Sequence, residues 1–281
     1  MNKSKPKILV AVMSYERPDA LEVCLRSLLE VGGAFSIIIV DDRSSNQAIR
    51  KLADQFGFEF LVGPRGTGRH GGLYNNMQLA KEIAENRGFD YVAFFQDDMQ
   101  LVRPFDEKVI QEYETVFAMD PKIVCIDHRF SRMGFKAVFD PELNAYRYPN
   151  GYTYSDVGVF SLARLSERNF SFNQFSHTFI ATEKLIKKSA KEMNMVKVSA
   201  RTPISMHIPF PRLIRNKITL PRLSRISKQI RQYKPMTSTA IKEMDDRDPN
   251  EAPNFRKFLE FSNLNALDKW LINRSSDSKI F

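Results

Sequence analysis

Two pairs of adjacent acids stand out by position. Asp41-Asp42 follows directly on an apolar run, residues 35–40, and Asp97-Asp98 follows another, residues 91–95, across Gln96. Neighbouring carboxylates at the end of a buried strand repel one another unless a cation or a hydroxyl-rich ligand lies between them. Hard divalent cations take oxygen ligands and bridge phosphates. Asp97-Asp98 therefore reads as a metal or sugar-nucleotide site, against the alternative of two solvated loop acids. Asp41-Asp42 can accept hydrogen bonds from a base or a ribose, against the alternative of a turn or a helix N-cap. Ser14-Tyr15 closes a third apolar run, residues 8–13.

Between these clusters runs a glycine-rich loop, residues 63–72, whose Gly66-Thr67-Gly68-Arg69-His70-Gly71 fits G-x-G-x-x-G. A dinucleotide fingerprint follows the first strand of its unit, and its ribose-binding acid ends a strand. Here the loop follows the run at 58–62, the third along the chain, and Asp90 precedes the fourth. The plainer reading is a loop that carries Arg65, Arg69 and His70 toward an anionic ligand. His177 and His207, taken alone, read as ordinary surface or core histidines.

The elements that must position these residues alternate. Runs of strand length at 8–13, 35–40, 58–62 and 91–95 are separated by helical spacing. Leu21, Cys24, Leu25, Leu28 and Leu29 follow Pro18, which suits a first helical turn, and Gly32-Gly33 ends them. Ala48, Ile49, Leu52, Ala53 and Phe56 share a face, with Ser44 or Ser45 as the expected cap. Leu73, Met77, Ala80, Ile83 and Ala84 mark a third helix. This alternation predicts an α/β fold with a mostly parallel sheet and helices on both faces, and ligands in such folds sit at the carboxyl ends of the strands. The second half is less regular. Helices are expected at 105–117 and 182–193, a strand at 122–127 and loops at 128–155, and 157–163 is apolar. A helical pattern recurs at 255–272.

The 281 residues carry 42 Lys plus Arg against 33 Asp plus Glu, a net charge of +9. Nine basic residues and no acid fall within 201–235, so the whole excess lies there. Its prolines forbid one long helix, although 223–233 has the pattern of a short basic amphipathic one. That stretch suits an anionic membrane surface, a solvated basic face or a clamp on nucleotide phosphates. With one aromatic near each end, Phe210 and Tyr233, it suits base stacking poorly, and no nucleic acid is expected. Composition excludes disorder and low complexity for the chain as a whole. Cys24 and Cys125 read as two buried thiols rather than a zinc or disulfide framework. With no apolar run of membrane-spanning length and no signal peptide, the expected location is cytoplasmic, with peripheral contact at the inner face of the membrane.

Together the clusters resemble the glycosyltransferase family 2, of GT-A fold. The carriers are Ile8 through Pro18 with Ser14-Tyr15-Glu16-Arg17, the turn Asp41-Asp42-Arg43-Ser44-Ser45, the segment Arg69 through Asn76, and Phe94-Phe95-Gln96-Asp97-Asp98-Met99 as a DxD-type motif. The clear resemblance covers residues 7 to 103. It implies that Ser14, Tyr15, Asp41 and Asp42 lie around the nucleotide base and that Arg69 reaches base or phosphate. It implies that Asp97 contacts the ribose and that Asp98 binds Mn²⁺ or Mg²⁺. Thr182-Glu183 stands where family members carry a Glu-Asp pair, which makes Glu183 the implied catalytic base, with Asp156 in reserve. Pro203-Ile-Ser-Met-His207 resembles a stretch whose histidine joins the metal shell.

The resemblance implies a metal-dependent, inverting glycosyltransferase. It would move a sugar from a nucleotide donor, a UDP-sugar in first place, to a saccharide or lipid-linked acceptor. The expected division is a nucleotide-sugar-binding half at 1–103, an acceptor-binding half at 104–210 and a basic, partly helical extension at 211–281. A sugar-phosphate nucleotidyltransferase and a nucleic-acid-binding protein acting through 201–235 are the alternatives. The first lacks its usual glycine-rich signature after the first strand.

Overall fold

Burial explains why the apolar runs become a sheet. The structure, a computed structural model, describes residues 7–66, 71–131, 136–149, 155–175, 182–209 and 230–262. In chain order the first half holds β1 (Ile8–Ser14), α1 (Pro18–Val31), β2 (Ser36–Asp41), α2 (Ala48–Phe56), β3 (Glu59–Val62), α3 (Gly71–Asn86) and β4 (Tyr91–Gln96). Then come β5 (Met99–Leu101), α4 (Glu107–Met119), β6 (Ile123–Asp127), β7 (Val138–Asp140), β8 (Ala145–Arg147) and β9 (Gly158–Ser161). The rest is α5 (Leu162–Glu167), α6 (Thr182–Glu192), β10 (Val196–Ala200), β11 (Ser205–His207), β12 (Gln232–Tyr233), α7 (Ser238–Asp246), α8 (Phe255–Phe258) and β13 (Phe261–Ser262).

Nine strands form one sheet in the order β3-β2-β1-β4-β9-β6-β10-β8-β7. β1 pairs in parallel with β2 and β4, β2 with β3, and β6 with β10. β9 runs antiparallel between β4 and β6, and β8 and β7 add an antiparallel edge. The sheet is thus mixed but mostly parallel, as expected. β1 is buried at every position, which is why it reads as an unbroken apolar run. One face packs α1, α2 and α4, through Leu21, Cys24, Ile49, Val109 and Tyr113 among others. The other packs α3, α5 and α6, through Tyr74, Met77, Leu165 and Ile186. Both cysteines are free and buried. Among the described residues no helix is long and apolar enough to cross a membrane.

The chain winds outward from β1 through β2 to β3, then returns to the other side of β1 as β4. The carboxyl ends of β1 and β4 therefore flank a topological switch point, the crevice where such folds take ligands.

Three expectations change. Helix α2 starts at Ala48 with Gln47 as its N-cap and no side-chain cap, because Ser44 is engaged elsewhere. Helix α4 starts two residues later than residue 105, after Asp106, whose carboxylate accepts from Val109 N–H at 3.0 Å. Of the pattern at 255–272, residues 255–262 are described, and they hold the short α8. The chain then turns into β13, because Phe255, Phe258 and Leu259 fill a separate apolar cluster with Val102, Phe130, Met206, Tyr233 and Met244.

That cluster fastens residues 230–262 to the sheet domain. Arg103 pairs with both carboxylate oxygens of Asp245, at 2.6 and 3.0 Å. The Gln100 side-chain amide donates to Tyr233 O at 2.6 Å and accepts from Tyr233 N–H at 2.8 Å, so β12 is latched to β5.

Candidate active site

Each strand that ends in the crevice delivers a polar residue there. At the end of β2, Asp41 is buried and fully engaged. Its carboxylate accepts from the Ser14 hydroxyl at 2.7 Å, the Ser44 hydroxyl at 2.7 Å and the Ser44 N–H at 2.7 Å. Ser14 and Asp41 thus brace the crevice wall and present no open group to a ligand. The same wall is tied across by Glu16 N–H to the Ser44 hydroxyl, 2.8 Å, and by Ser45 N–H to the Glu16 carboxylate, 2.5 Å. Glu16 and Arg43 adopt the left-handed conformation, at φ 55° and 56°, an uncommon choice for residues with a Cβ.

Asp42 is turned inward from that brace. Partial burial, and then the neighbouring charge of Asp41, push its carboxyl above the ordinary value; Arg43 opposes them. Its oxygens rest against the first turn of α3, where a Cβ on Gly72 would lie 2.0 Å from Asp42 Oδ2. The absence of a side chain at 72 is what makes room for this carboxylate. Tyr15, at the end of β1, is 54% exposed, its ring open to solvent. Arg69 and His70 lie outside the described residues.

At the end of β4 the acid pair is fully buried, both residues at 0% exposure. Burying two carboxylates side by side demands compensation. Arg17, in the β1–α1 turn, supplies it. One guanidinium spans the pair, Nη2 on Asp97 Oδ1 and Nη1 on Asp98 Oδ2 at 3.0 Å. Asp97 Oδ2 accepts from Tyr15 N–H at 3.1 Å. Asp98 Oδ1 faces His207 Nδ1 at 3.3 Å, across the pairing of β5 with β11.

The far side of His207 meets Arg129, whose Nη1 lies 3.2 Å from His207 Nε2. Arginine only donates, so Nε2 accepts and the imidazole proton sits on Nδ1, toward Asp98. Both ring nitrogens are therefore committed, and His207 meets a metal only if Arg129 withdraws. Arg129 in turn binds Asp127 through Nε at 2.8 Å and Nη2 at 2.7 Å, and Lys197 adds a bond to Asp127 at 3.1 Å. Burial pushes the Asp127 carboxyl up, but Arg129 and Lys197 outweigh it and hold the group well below the usual carboxylate range. A relay of paired charges thus runs from the acid pair to the start of β10.

Asp156 and Glu183 differ in placement. Asp156 Oδ2 accepts from Gln96 Nε2 at 2.7 Å, which brings it beside the acid pair. Glu183 lies in the first turn of α6, 46% exposed, paired with Lys187 one turn on at 2.6 Å. Among the described residues it touches no side chain of the crevice.

The residues fit a divalent cation. Their donors are hard oxygens, and the guanidinium already stands on them as a stand-in cation. Among the described residues no three His, Cys, Asp or Glu side chains are grouped to hold a metal. That suits a cation bound through one or two carboxylates, with substrate phosphates and water as its other ligands.

Sequence reasoning missed Arg17, Gln96, Asp127, Arg129 and Lys197. Arg17 was within reach, three residues past Ser14 at the same sheet edge. The others are joined only by tertiary contacts.

His128 is buried at the same edge but stays out of the chemistry. It stacks on Phe95, with Nδ1 2.7 Å from the Ser205 hydroxyl. Burial, opposed by the charge of Asp127, lowers its pKa from 6.5 to about 4. Between those values the unfolded chain holds a proton that the native chain does not. Stability is therefore expected to fall by about 3 kcal/mol as pH drops from 6.5 to 4. Urea midpoints across that window should show the slope, and His128→Gln should flatten it.

The sequence model described as Glycosyl transferase family 2 matches residues 9–192, more than half of the chain. No curated protein matches. Among solved structures, S. aureus TarS is similar at a TM-score of 0.51 and 16% identity, over 74% of this chain and 39% of that one. Residues 1–349 of TarS in complex with UDP give 0.50 and 16%, over 71% of this chain and 59% of that one. The chain thus spans less than two thirds of either, and at such identity the likeness is one of fold.

Proposed function

The chain belongs to glycosyl transferase family 2; on that premise we propose that it is a glycosyltransferase, moving a sugar from a UDP-linked donor, with a divalent cation, to a saccharide or lipid-linked acceptor. The observation that carries this reading is the buried Asp97–Asp98 pair, held under a single guanidinium at the switch-point crevice.

In this reading Tyr15 stacks on the base and Asp42 accepts from its imide N–H. Ser14 and Asp41 act at one remove, by fixing the turn that carries Asp42. Asp97 takes the ribose hydroxyls, Asp98 is the metal ligand, and His207 orients Asp98 from behind. Arg69, outside the described residues, reaches the donor phosphates. The cation, Mn²⁺ or Mg²⁺, would neutralise the departing diphosphate.

Transfer with inversion needs a carboxylate that takes the proton of the acceptor hydroxyl as it attacks the anomeric carbon. Glu183 fits that role. Its side chain is 46% exposed, and its i,i+4 pair with Lys187 is worth only about 0.3–0.5 kcal/mol, so it opens readily. Asp156, tied to Gln96, suits the hydroxyls of the donor sugar.

Of the nine basic residues in 201–235, six lie outside the described residues. The other three are in use: Arg201 binds Asn144, Lys234 binds Glu260, and Arg231 is buried. Membrane contact would fall to the six, and loss of liposome binding in Arg222, Arg225 and Lys228 variants would reveal it.

The test is a comparison of melting temperatures with UDP and Mn²⁺ present or absent. UDP should stabilise the wild type. In Gly72→Ala the new Cβ displaces the Asp42 carboxylate, so UDP affinity is expected to fall about tenfold, the value of one good polar contact. No shift with UDP in the wild type would sink the reading, and pyrophosphate release from a nucleoside triphosphate would favour a nucleotidyltransferase.

A further inference from the structure

Every carboxylate oxygen of the acid pair has a partner. Asp97 Oδ1 and Asp98 Oδ2 take Arg17, Asp97 Oδ2 takes the Tyr15 N–H, and Asp98 Oδ1 faces His207. Tyr15 donates from the main chain, and His207 is held on its far side by Arg129. Arg17 differs from both. Its side chain is 25% exposed, and it reaches the pair from the solvent side of the β1–α1 turn. Among these partners from the described residues, Arg17 is the long side chain that can swing away without moving a strand.

A divalent cation held by Asp98 and this guanidinium therefore compete at Asp98 Oδ2. Each can compensate two buried charges, and both cannot sit there together. A guanidinium driven off the pair needs a new anion, and its planar fork suits a phosphate as well as a carboxylate. The donor diphosphate is the anion that arrives with the cation.

We infer that Arg17 exchanges partners. It neutralises Asp97 and Asp98 while the donor is absent, and it turns to the donor diphosphate when a divalent cation takes its place on the pair. The inference rests on the nucleotide-donor reading for its second half only. The exchange makes cation and donor bind cooperatively, since each lowers the cost of moving Arg17 for the other, and such coupling is reciprocal. Without donor, the pair resists capture of a stray metal ion.

The experiment is a titration of the full chain with Mn²⁺, followed by the electron spin resonance signal of the free ion, with and without UDP. Wild type, Arg17→Ala and Arg17→Lys are compared. Without nucleotide, Arg17→Ala is expected to bind Mn²⁺ at least tenfold more tightly than wild type, with Arg17→Lys between them. UDP should raise the Mn²⁺ affinity of wild type at least tenfold and that of Arg17→Ala by much less. Equal Mn²⁺ affinity of wild type and Arg17→Ala without nucleotide, or no binding by either, overturns the exchange. If Arg17→Ala does not fold, Arg17→Gln carries the same comparison. A protein that ignores UDP while Arg17→Ala still gains Mn²⁺ affinity overturns the donor reading and leaves the competition at the acid pair standing.

Discussion

Asp98→Asn is expected to slow sugar transfer about a thousandfold, some 4 kcal/mol of transition-state stabilisation. The substitution preserves shape and changes one charge. Asp98 is fully buried, with one oxygen on Arg17 and the other facing the protonated nitrogen of His207. An amide in its place must present an NH₂ to one of these two donors, so the pocket loses an acceptor as well as a charge. The cation loses its proposed ligand and the diphosphate its neutralisation. Stability should suffer less, because Arg17 is partly exposed and keeps Asp97 as a partner. UDP release in the presence of donor, alongside thermal melts, checks both halves. Activity within tenfold of wild type in a folded protein would remove Asp98 from the mechanism.

Glu183→Gln should cost between about a hundredfold and ten-thousandfold in kcat, the range of a lost general base. Because Glu183 stands apart from the acid pair, UDP affinity should not change. Asp156→Asn should do the opposite, raising KM for the donor about tenfold with a smaller effect on kcat. Its carboxylate is tied to Gln96, whose neighbour is Asp97. If Asp156→Asn is the variant that loses kcat with donor affinity intact, the two roles are exchanged.

Much of the first half was legible in the sequence because its signals are local. An apolar run such as residues 8–13 must be a covered strand, and Pro18 with Leu21, Leu25 and Leu28 must be a helix lying on it. The acids at the ends of β2 and β4 then follow from chain geometry alone. The partners of those acids do not. Arg17 carries no pattern that ties it to Asp98, and the link forms only because β1 and β4 are neighbours in the sheet. Strands β5 and β11 are three residues each, too short to show a period, yet their pairing is what brings His207 to Asp98. Ser44 looked like a helix cap because its type suits one, and the nearby carboxylate of Asp41 claimed it instead. The relay through Arg129, Asp127 and Lys197 joins residues from two strands by charge alone, and spacing says nothing of it.

The latch between Gln100 and Tyr233 sets an order of events during synthesis. The strand beside the acid pair waits for a partner made 133 residues later. Until Tyr233 leaves the ribosome, the Gln100 amide is unpaired, and Val102, Phe130 and Met206 lack the apolar cover that Tyr233, Met244 and Phe255 provide. A nascent chain can therefore complete its donor-side strands long before the acid pair is locked. Contacts of such long sequence separation form slowly. The setting of β5 beside the acid pair is thus completed only by residues of the 230–262 segment.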